Sequence, residues 1–89
     1  MRRAARIDLT QTAIVDALRK ISVSVEVIKL PVDLLICHRG ETSLMECKSD
    51  GGRLTKGQVE FIARWPGKVF VVNGPEDAVA QVLGPEVMA

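Results

Sequence analysis

Two apolar runs on either side of a short polar turn constrain this chain more than any other feature. VDLLIC (32–37) and TSLMECK (42–48) flank HRGE, and Arg39-Gly40 at its centre suits the tight turn of a β-hairpin. A loop of two residues and a loop of four residues both give the same pairing, in which Asp33 lies opposite Glu46. The sequence therefore predicts two antiparallel strands in a defined register.

The remaining elements follow from periodicity and from residues that end regular structure. Apolar residues recur at helical spacing in 8–21, whereas 22–28 alternates valines with polar residues, as a half-buried strand does. Thr55 followed by Gln58 has the form of a capping box and predicts the start of a second helix. A buried strand at 68–72 and a last helix complete the order α-β-β-β-α-β-α, which is an α/β fold.

Length and charge limit the classes of function. Eighty-nine residues form one domain, 1–89, and a net charge of +1 means that nucleic-acid binding must come from local patches. The arginines of MRRAAR predict a flexible basic arm over 1–7, and because no apolar stretch follows them we expect a soluble cytoplasmic protein without a membrane segment. A hydrophobic fraction of 47% is high for so small a core and predicts self-association.

The hairpin register gathers three charged side chains at one end of one sheet face. Asp33 faces Glu46, and Lys48 shares their face because side chains two apart on a strand point the same way. Directly opposed residues have Cβ atoms roughly 4.5 to 5.5 Å apart, where like charges destabilise a sheet. A Mg²⁺ or Mn²⁺ ion held by the two carboxylates removes that repulsion, and the backbone carbonyl of Cys47 offers a further oxygen ligand.

Lys48 and the loop after it suit phosphodiester hydrolysis. An ammonium group beside a metal can hold an attacking water or stabilise the negative charge that grows on a phosphate. The loop that follows is rich in glycine and basic residues, so Gly52, Arg53 and Lys56 are candidate contacts to a nucleic-acid backbone. The sequence thus predicts a catalytic strand end followed by a substrate-binding loop.

Asp33, the triplet Glu46-Cys47-Lys48 and the segment from Gly52 to Gln58 resemble the PD-(D/E)XK nuclease superfamily, specifically its VRR-Nuc branch of small, often phage-borne nucleases. The resemblance implies a restriction-endonuclease-like core, with a central mixed sheet flanked by helices. It also implies metal-dependent cleavage of DNA, a preference for branched DNA such as Holliday junctions, a homodimer, and a cytoplasmic location in a bacterial or phage-infected host cell. Asp33 and Glu46 are then the metal ligands and Lys48 the catalytic lysine.

Three further positions follow from the same resemblance. Gln58 corresponds to the glutamine on the helix after the triplet, and it counts among the catalytic residues. Relatives carry an acid or a glutamine on the first helix, for which Gln11 is the nearest candidate and Asp8 the next. Gln11 is also a candidate contact to nucleic acid. The chain departs from the family pattern at Pro31-Val32-Asp33, where relatives have proline and aspartate adjacent.

Several of these residues also have a simpler structural interpretation. Glu46 and Lys48 alone would form a solvated ion pair at a strand end. Gln58 alone would complete the capping box, and we expect it to leave the cap if it serves the site. Phe61 and Trp65 match the buried face of a helix or a dimer interface. The alternative function is a non-catalytic, DNA-binding homodimer with a nuclease-like fold.

Overall fold

A computed structural model describes residues 9–49 and 51–84, and the predicted basic arm and Asp8 lie outside these ranges. The element order is the predicted one, and each predicted boundary lies close to the observed one. The elements are α1 (Leu9–Lys20), β1 (Ser24–Val27), β2 (Leu34–His38), β3 (Glu41–Cys47), α2 (Lys56–Arg64), β4 (Val69–Val72) and α3 (Pro75–Leu83).

The four strands form one mixed sheet in the order β1-β2-β3-β4. The first two pairings are antiparallel, and β3 pairs with β4 in parallel through the crossover that contains α2. His38 pairs with Glu41, so only Arg39 (φ 54°) and Gly40 (φ 81°) form the hairpin loop. Positive φ at both positions is typical of a type I′ turn, which matches the twist of the strands. The shorter of the two expected loops is therefore the observed one.

The side chains of the sheet alternate between two apolar layers. The larger layer lies between the sheet and helices α1 and α3, and it contains Ile14, Val15, Leu18, Val23, Val25, Leu34, Ile36, Met45, Cys47, Val72 and Ala78. The smaller layer, under α2, contains Val32, Leu44 and Phe61. Because adjacent residues of a strand point to opposite faces, Glu46 belongs to the α2 side while its neighbours Met45 and Cys47 belong to the other.

Several large apolar side chains remain at the surface of the described part of the chain. Leu30 is 81% exposed and Leu9 75%, and Val59, Trp65 and Val27 are about half exposed. Of the helices in the ranges 9–49 and 51–84, none has the length and apolar character needed to cross a membrane.

Candidate functional site

Glu46 is the buried charged residue at the end of β3. Only 3% of its surface is exposed, because α2 covers this face of the sheet through Phe61. Its Oε2 accepts a hydrogen bond from Gln58 Nε2 at 2.8 Å and lies 3.1 Å from Lys48 Nζ. The interpretation of Glu46 and Lys48 as a solvated ion pair is therefore wrong for the carboxylate.

The second oxygen of Glu46 has no such support. Oε1 is buried, and within the described residues it has no hydrogen-bond partner. A buried polar atom left without a partner costs about 1–3 kcal/mol, and more when the group is charged. An oxygen in this state is a suitable ligand for a hard cation.

Asp33 lies one residue before β2, at the same end of the sheet as Glu46. Its Oδ2 accepts a hydrogen bond from the backbone N–H of Cys47 at 2.9 Å. Its own carbonyl accepts from the N–H groups of Ile28 (2.9 Å) and Lys29 (3.2 Å), so its backbone is also fixed. Leu34 pairs with Met45, and continuing this register by one residue sets Asp33 against Glu46, as the sequence predicts.

Lys48 follows β3 directly and continues its pairing with β4. Its N–H donates to the carbonyl of Val72 at 2.8 Å, which holds the backbone at the edge of the site. The side chain is 20% exposed, so the ammonium group contacts Glu46 on one side and reaches solvent on the other. Lys48 can therefore meet a ligand that approaches from solvent.

The loop after Lys48 folds back on that residue. The N–H of Gly52 donates to the carbonyl of Ser49 at 2.7 Å, and Gly51 adopts a φ of +80°. A Cβ atom on Gly52 would lie 3.0 Å from Ser49 O and 3.5 Å from Lys48 Cβ, so a side chain there would displace the backbone. The loop thus needs glycine for its close approach to the strand end.

Two basic residues are exposed at the start of α2, one just before the helix and one at its first position. Arg53 and Lys56 both face solvent, and no acidic residue occupies the first turn of α2. The N-terminus of a helix carries partial positive charge, which a lysine does not neutralise. This end of α2 is therefore electropositive, as the predicted contact to phosphate requires.

Gln58 keeps its place in the capping box while its side chain also contacts Glu46, so the expectation that it must leave the cap to reach the site is wrong. Its Oε1 accepts from the N–H of Thr55 at 2.9 Å, while its Nε2 donates to Glu46. Thr55 Oγ1 in turn accepts from the N–H of Gln58 at 3.1 Å, which completes the capping box. An amide group permits this because its acceptor and donor point in different directions. Thr55, which the sequence indicates only as the start of α2, therefore also contacts the side chain that bonds Glu46.

The other residues singled out in the sequence have different surroundings. Gln11 is in the first turns of α1, the helix that packs on the face opposite Glu46. Cys47 is buried in the larger layer and forms no disulfide, and its carbonyl remains a predicted ligand. Phe61 is buried and its ring lies 5.2 Å from that of Trp65, which is 46% exposed and so only partly fits the expected buried face.

The donor set is compatible with a magnesium-type ion. In the part of the chain that the structure describes, no group of three or more His, Cys, Asp or Glu side chains is placed to hold a metal. Mg²⁺ does not require such a group, because it is commonly held by one or two carboxylates together with waters and phosphate oxygens. Asp33 and Glu46 are the two carboxylates that lie at this end of the sheet.

No protein-family model matches the chain, and neither the curated proteins nor the solved structures contain a match. Its function is therefore inferred from the chemistry of these side chains.

Proposed function

We propose that this chain is a divalent-metal-dependent DNA endonuclease of the PD-(D/E)XK type, related to the VRR-Nuc branch. One observation carries the proposal: Glu46 is buried at a strand end with two donors on Oε2 and no hydrogen-bond partner within the described residues for Oε1. The large majority of buried side-chain polar atoms in folded proteins have a hydrogen-bond partner, and a bound ion is one explanation for an exception. The carboxylate of Asp33 at the same strand end supports the assignment.

The fold is compatible with this assignment. The order α-β-β-β-α-β-α around a mixed sheet is the arrangement that the resemblance implies for a restriction-endonuclease-like core. The triplet Glu46-Cys47-Lys48 ends β3, and the helix that follows brings Gln58 onto Glu46. The fold alone does not carry the function, since one fold hosts many activities.

The metal site would use Asp33, Glu46 Oε1 and the Cys47 carbonyl, with Mg²⁺ or Mn²⁺ as the ion. When bound, such an ion polarises a phosphate oxygen and activates water for attack. The protein contributes a carboxylate that is already oriented, because Gln58 and Lys48 both hold Oε2. Orientation before binding lowers the free energy that the site must spend in ordering its ligands.

Lys48 is the residue that meets the substrate. Its ammonium group lies 3.1 Å from Glu46 Oε2 and is partly exposed, so a phosphate that enters from solvent can take over the contact. Gln58 stays on Oε2 and keeps the carboxylate in place when this happens. Lys48 then stabilises the negative charge that grows on the phosphate or orients the attacking water.

The substrate we propose is DNA, with structured or branched DNA such as a Holliday junction as the preferred form. Arg53 and Lys56 are exposed beside the site and Gly52 lets the loop approach the backbone, which supports contact to phosphates. Branched substrates suit a homodimer, and exposed apolar residues such as Leu30 and Trp65 support self-association. A cytoplasmic location in a bacterial or phage-infected host cell follows from the same proposal.

Cleavage by matched lysine variants tests the proposal. Linear, flapped and four-way-junction DNAs are incubated with Mn²⁺ and the native chain, Lys48→Ala or Lys68→Ala. Lys68 is exposed and lies just before β4, at the opposite end of the sheet from the site. We expect Lys48→Ala to lose about 100-fold or more in cleavage rate, the usual effect of removing one transition-state contact. Full activity in Lys48→Ala would contradict the assignment.

The same panel tests the alternative, a DNA-binding homodimer without catalysis. Two features favour this alternative. The ion pair between Lys48 and Glu46 would keep Lys48 from contacting a substrate if it stayed closed. The segment Pro31-Val32-Asp33 also departs from the pattern of the nucleases that the sequence resembles. Salt-dependent binding by the native chain without nicking in Mg²⁺ or Mn²⁺ would support this alternative over the nuclease.

A further inference from the structure

The side-chain amide of Gln58 is fixed by unlike partners at its two ends. Oε1 faces a backbone N–H, that of Thr55, which can only donate. Nε2 faces a carboxylate oxygen, Oε2 of Glu46, which as an ionised group can only accept. Rotating the amide by half a turn would place donor against donor and acceptor against acceptor. The amide therefore has one satisfied orientation, and the N–H of Thr55 helps to determine it.

Thr55 also fixes the backbone of Gln58. Thr55 has the extended conformation of an N-cap residue (φ −75°, ψ 164°), and its Oγ1 accepts the Gln58 N–H at 3.1 Å. One residue thus contacts Gln58 twice, at its backbone and at its side chain. Both contacts act on the first turn of α2, whose N–H groups have no partners within the helix.

These contacts decide which oxygen of Glu46 remains for a cation. Gln58 and Lys48 occupy Oε2, and Oε1 is left buried without a hydrogen-bond partner in the described residues. If Gln58 were not held by Thr55, its amide could turn away or donate to either oxygen. Glu46 would then lose the fixed orientation that separates a supported oxygen from an unsupported one.

We propose that Thr55 is a positioning residue of the metal site: it orients Gln58, which holds Glu46 Oε2 and leaves Oε1 for the cation. This inference rests on the proposed function, and it adds to it a residue that touches neither the ion nor the substrate. It gives the capping box of α2 a second role beside helix stability. Groups that hold a metal ligand in place commonly change metal affinity by about 10- to 100-fold when they are removed.

A double-mutant cycle with Mn²⁺ affinity as the readout separates the role of Thr55 in positioning Gln58 from its role in helix stability. Mn²⁺ affinity is measured by calorimetry for the native chain, Thr55→Val, Gln58→Ala and the double variant, with Thr55→Ser as the matched control that keeps the hydroxyl. Thr55→Val keeps the backbone N–H that donates to Gln58 Oε1 but removes the Oγ1 that holds the Gln58 backbone, and loss of this half of the capping box should loosen the other half. We therefore expect Thr55→Val to weaken Mn²⁺ binding by about 10-fold, Thr55→Ser to bind like the native chain, and Thr55→Val to add no further loss in the Gln58→Ala background. Equal losses from Thr55→Val in both backgrounds, or no loss in either, would overturn the positioning role.

A second measurement needs no metal. The side-chain amide signals of Gln58 are followed by NMR in the metal-free protein, where two hydrogen bonds predict slow exchange with solvent. In Thr55→Val we expect these signals to shift toward those of a solvated glutamine and to exchange faster, while Thr55→Ser leaves them unchanged. Unchanged signals in Thr55→Val, with unchanged Mn²⁺ affinity, overturn the inference but not the nuclease. Absence of Mn²⁺ binding by the native chain overturns the metal site itself, whatever the amide signals show.

Discussion

The carboxylate of Asp33 accepts a hydrogen bond from the backbone N–H of Cys47 across 2.9 Å, which joins the segment before β2 to the end of β3. Between Pro31 and Asp33 the chain has an additional residue, Val32, compared with the pattern of the nucleases that its sequence resembles, and the structure shows where that residue goes. Val32 is fully buried and packs with Leu44 and Phe61 under α2. The departure from the pattern therefore fills the smaller apolar layer, and Asp33 still reaches the strand end.

Substitution of Asp33 tests its hydrogen bond to Cys47 separately from its predicted role as a charged metal ligand. Asp33→Asn keeps an oxygen that can accept from Cys47 N–H, so we expect little change in the free energy of unfolding and a loss of metal-dependent cleavage. Asp33→Ala removes that acceptor and should cost about 1–3 kcal/mol as well. Urea unfolding and the Mn²⁺ cleavage assay measure the two effects. Asp16→Asn, at an exposed position of α1, is the control and should change neither. Native cleavage rates in Asp33→Asn would remove Asp33 from the site.

Much of the fold could be predicted from local sequence because local interactions determine it. A symmetric loop centred on Arg39-Gly40 predicts the hairpin register, because loops of two and of four residues give the same pairing. The Thr55–Gln58 spacing located the start of α2 because capping depends on residues three apart. In each case the partners lie close together along the chain or in a repeating pattern.

The site was less predictable because it depends on packing between distant elements. The burial of Glu46 requires α2 to lie on its face of the sheet, which depends on Phe61 meeting Val32 and Leu44. The simultaneous bonds of Gln58 depend on the distance from the helix start to β3, which no spacing in the sequence reveals. Position along the chain thus indicated which residues meet, but not how deeply they are buried.

Metal binding should stabilise the folded chain through Glu46. A ligand present at about 100 times its Kd adds about 2.7 kcal/mol, which for a domain of this size raises Tm by roughly 10 to 20 °C. We expect this rise on adding Mn²⁺ to the native chain and its loss in Glu46→Gln, measured by thermal unfolding followed by circular dichroism. Glu41→Gln changes an exposed acid at the other end of β3 and should keep the full rise. The same shift in all three proteins would show that Mn²⁺ binds elsewhere.

Charge at the start of α2 should control the salt dependence of DNA binding. Arg53→Ala/Lys56→Ala removes two exposed cations beside the site. If each contacts a phosphate, the slope of log K against log salt for duplex DNA becomes shallower by about 1.8, since each released contact contributes about 0.9. Binding titrations at several salt concentrations measure this slope.

Lys20→Ala/Lys68→Ala is the control for that measurement. Lys20 ends α1, close to the start of β1, and that part of β1 pairs with the end of β2 nearest the hairpin turn. Lys68 lies just before β4. Both lysines therefore lie away from the site. The control has the same change in net charge and should leave the slope within a few tenths of the native value. Equal changes in the two double variants would mean that binding depends on total charge and not on this patch.

Two glycines with nearly the same positive φ allow the loop to be tested apart from fold stability. Gly51 has a φ of +80° and Gly40 a φ of +81°, and a Cβ atom at either position meets nothing within 4 Å. Alanine at each should therefore lower the free energy of unfolding by a similar amount, about 1–2 kcal/mol, from backbone strain alone.

Only Gly51 lies in the loop that folds back toward Lys48, whereas Gly40 is in the hairpin turn at the opposite end. We expect Gly51→Ala to slow Mn²⁺-dependent cleavage by about 10-fold or more, because a displacement of about 1 Å at a reacting group can cost about 100-fold. Gly40→Ala should cleave at the native rate under conditions where both variants are folded. Equal rates in the two variants would show that the loop conformation does not position Lys48.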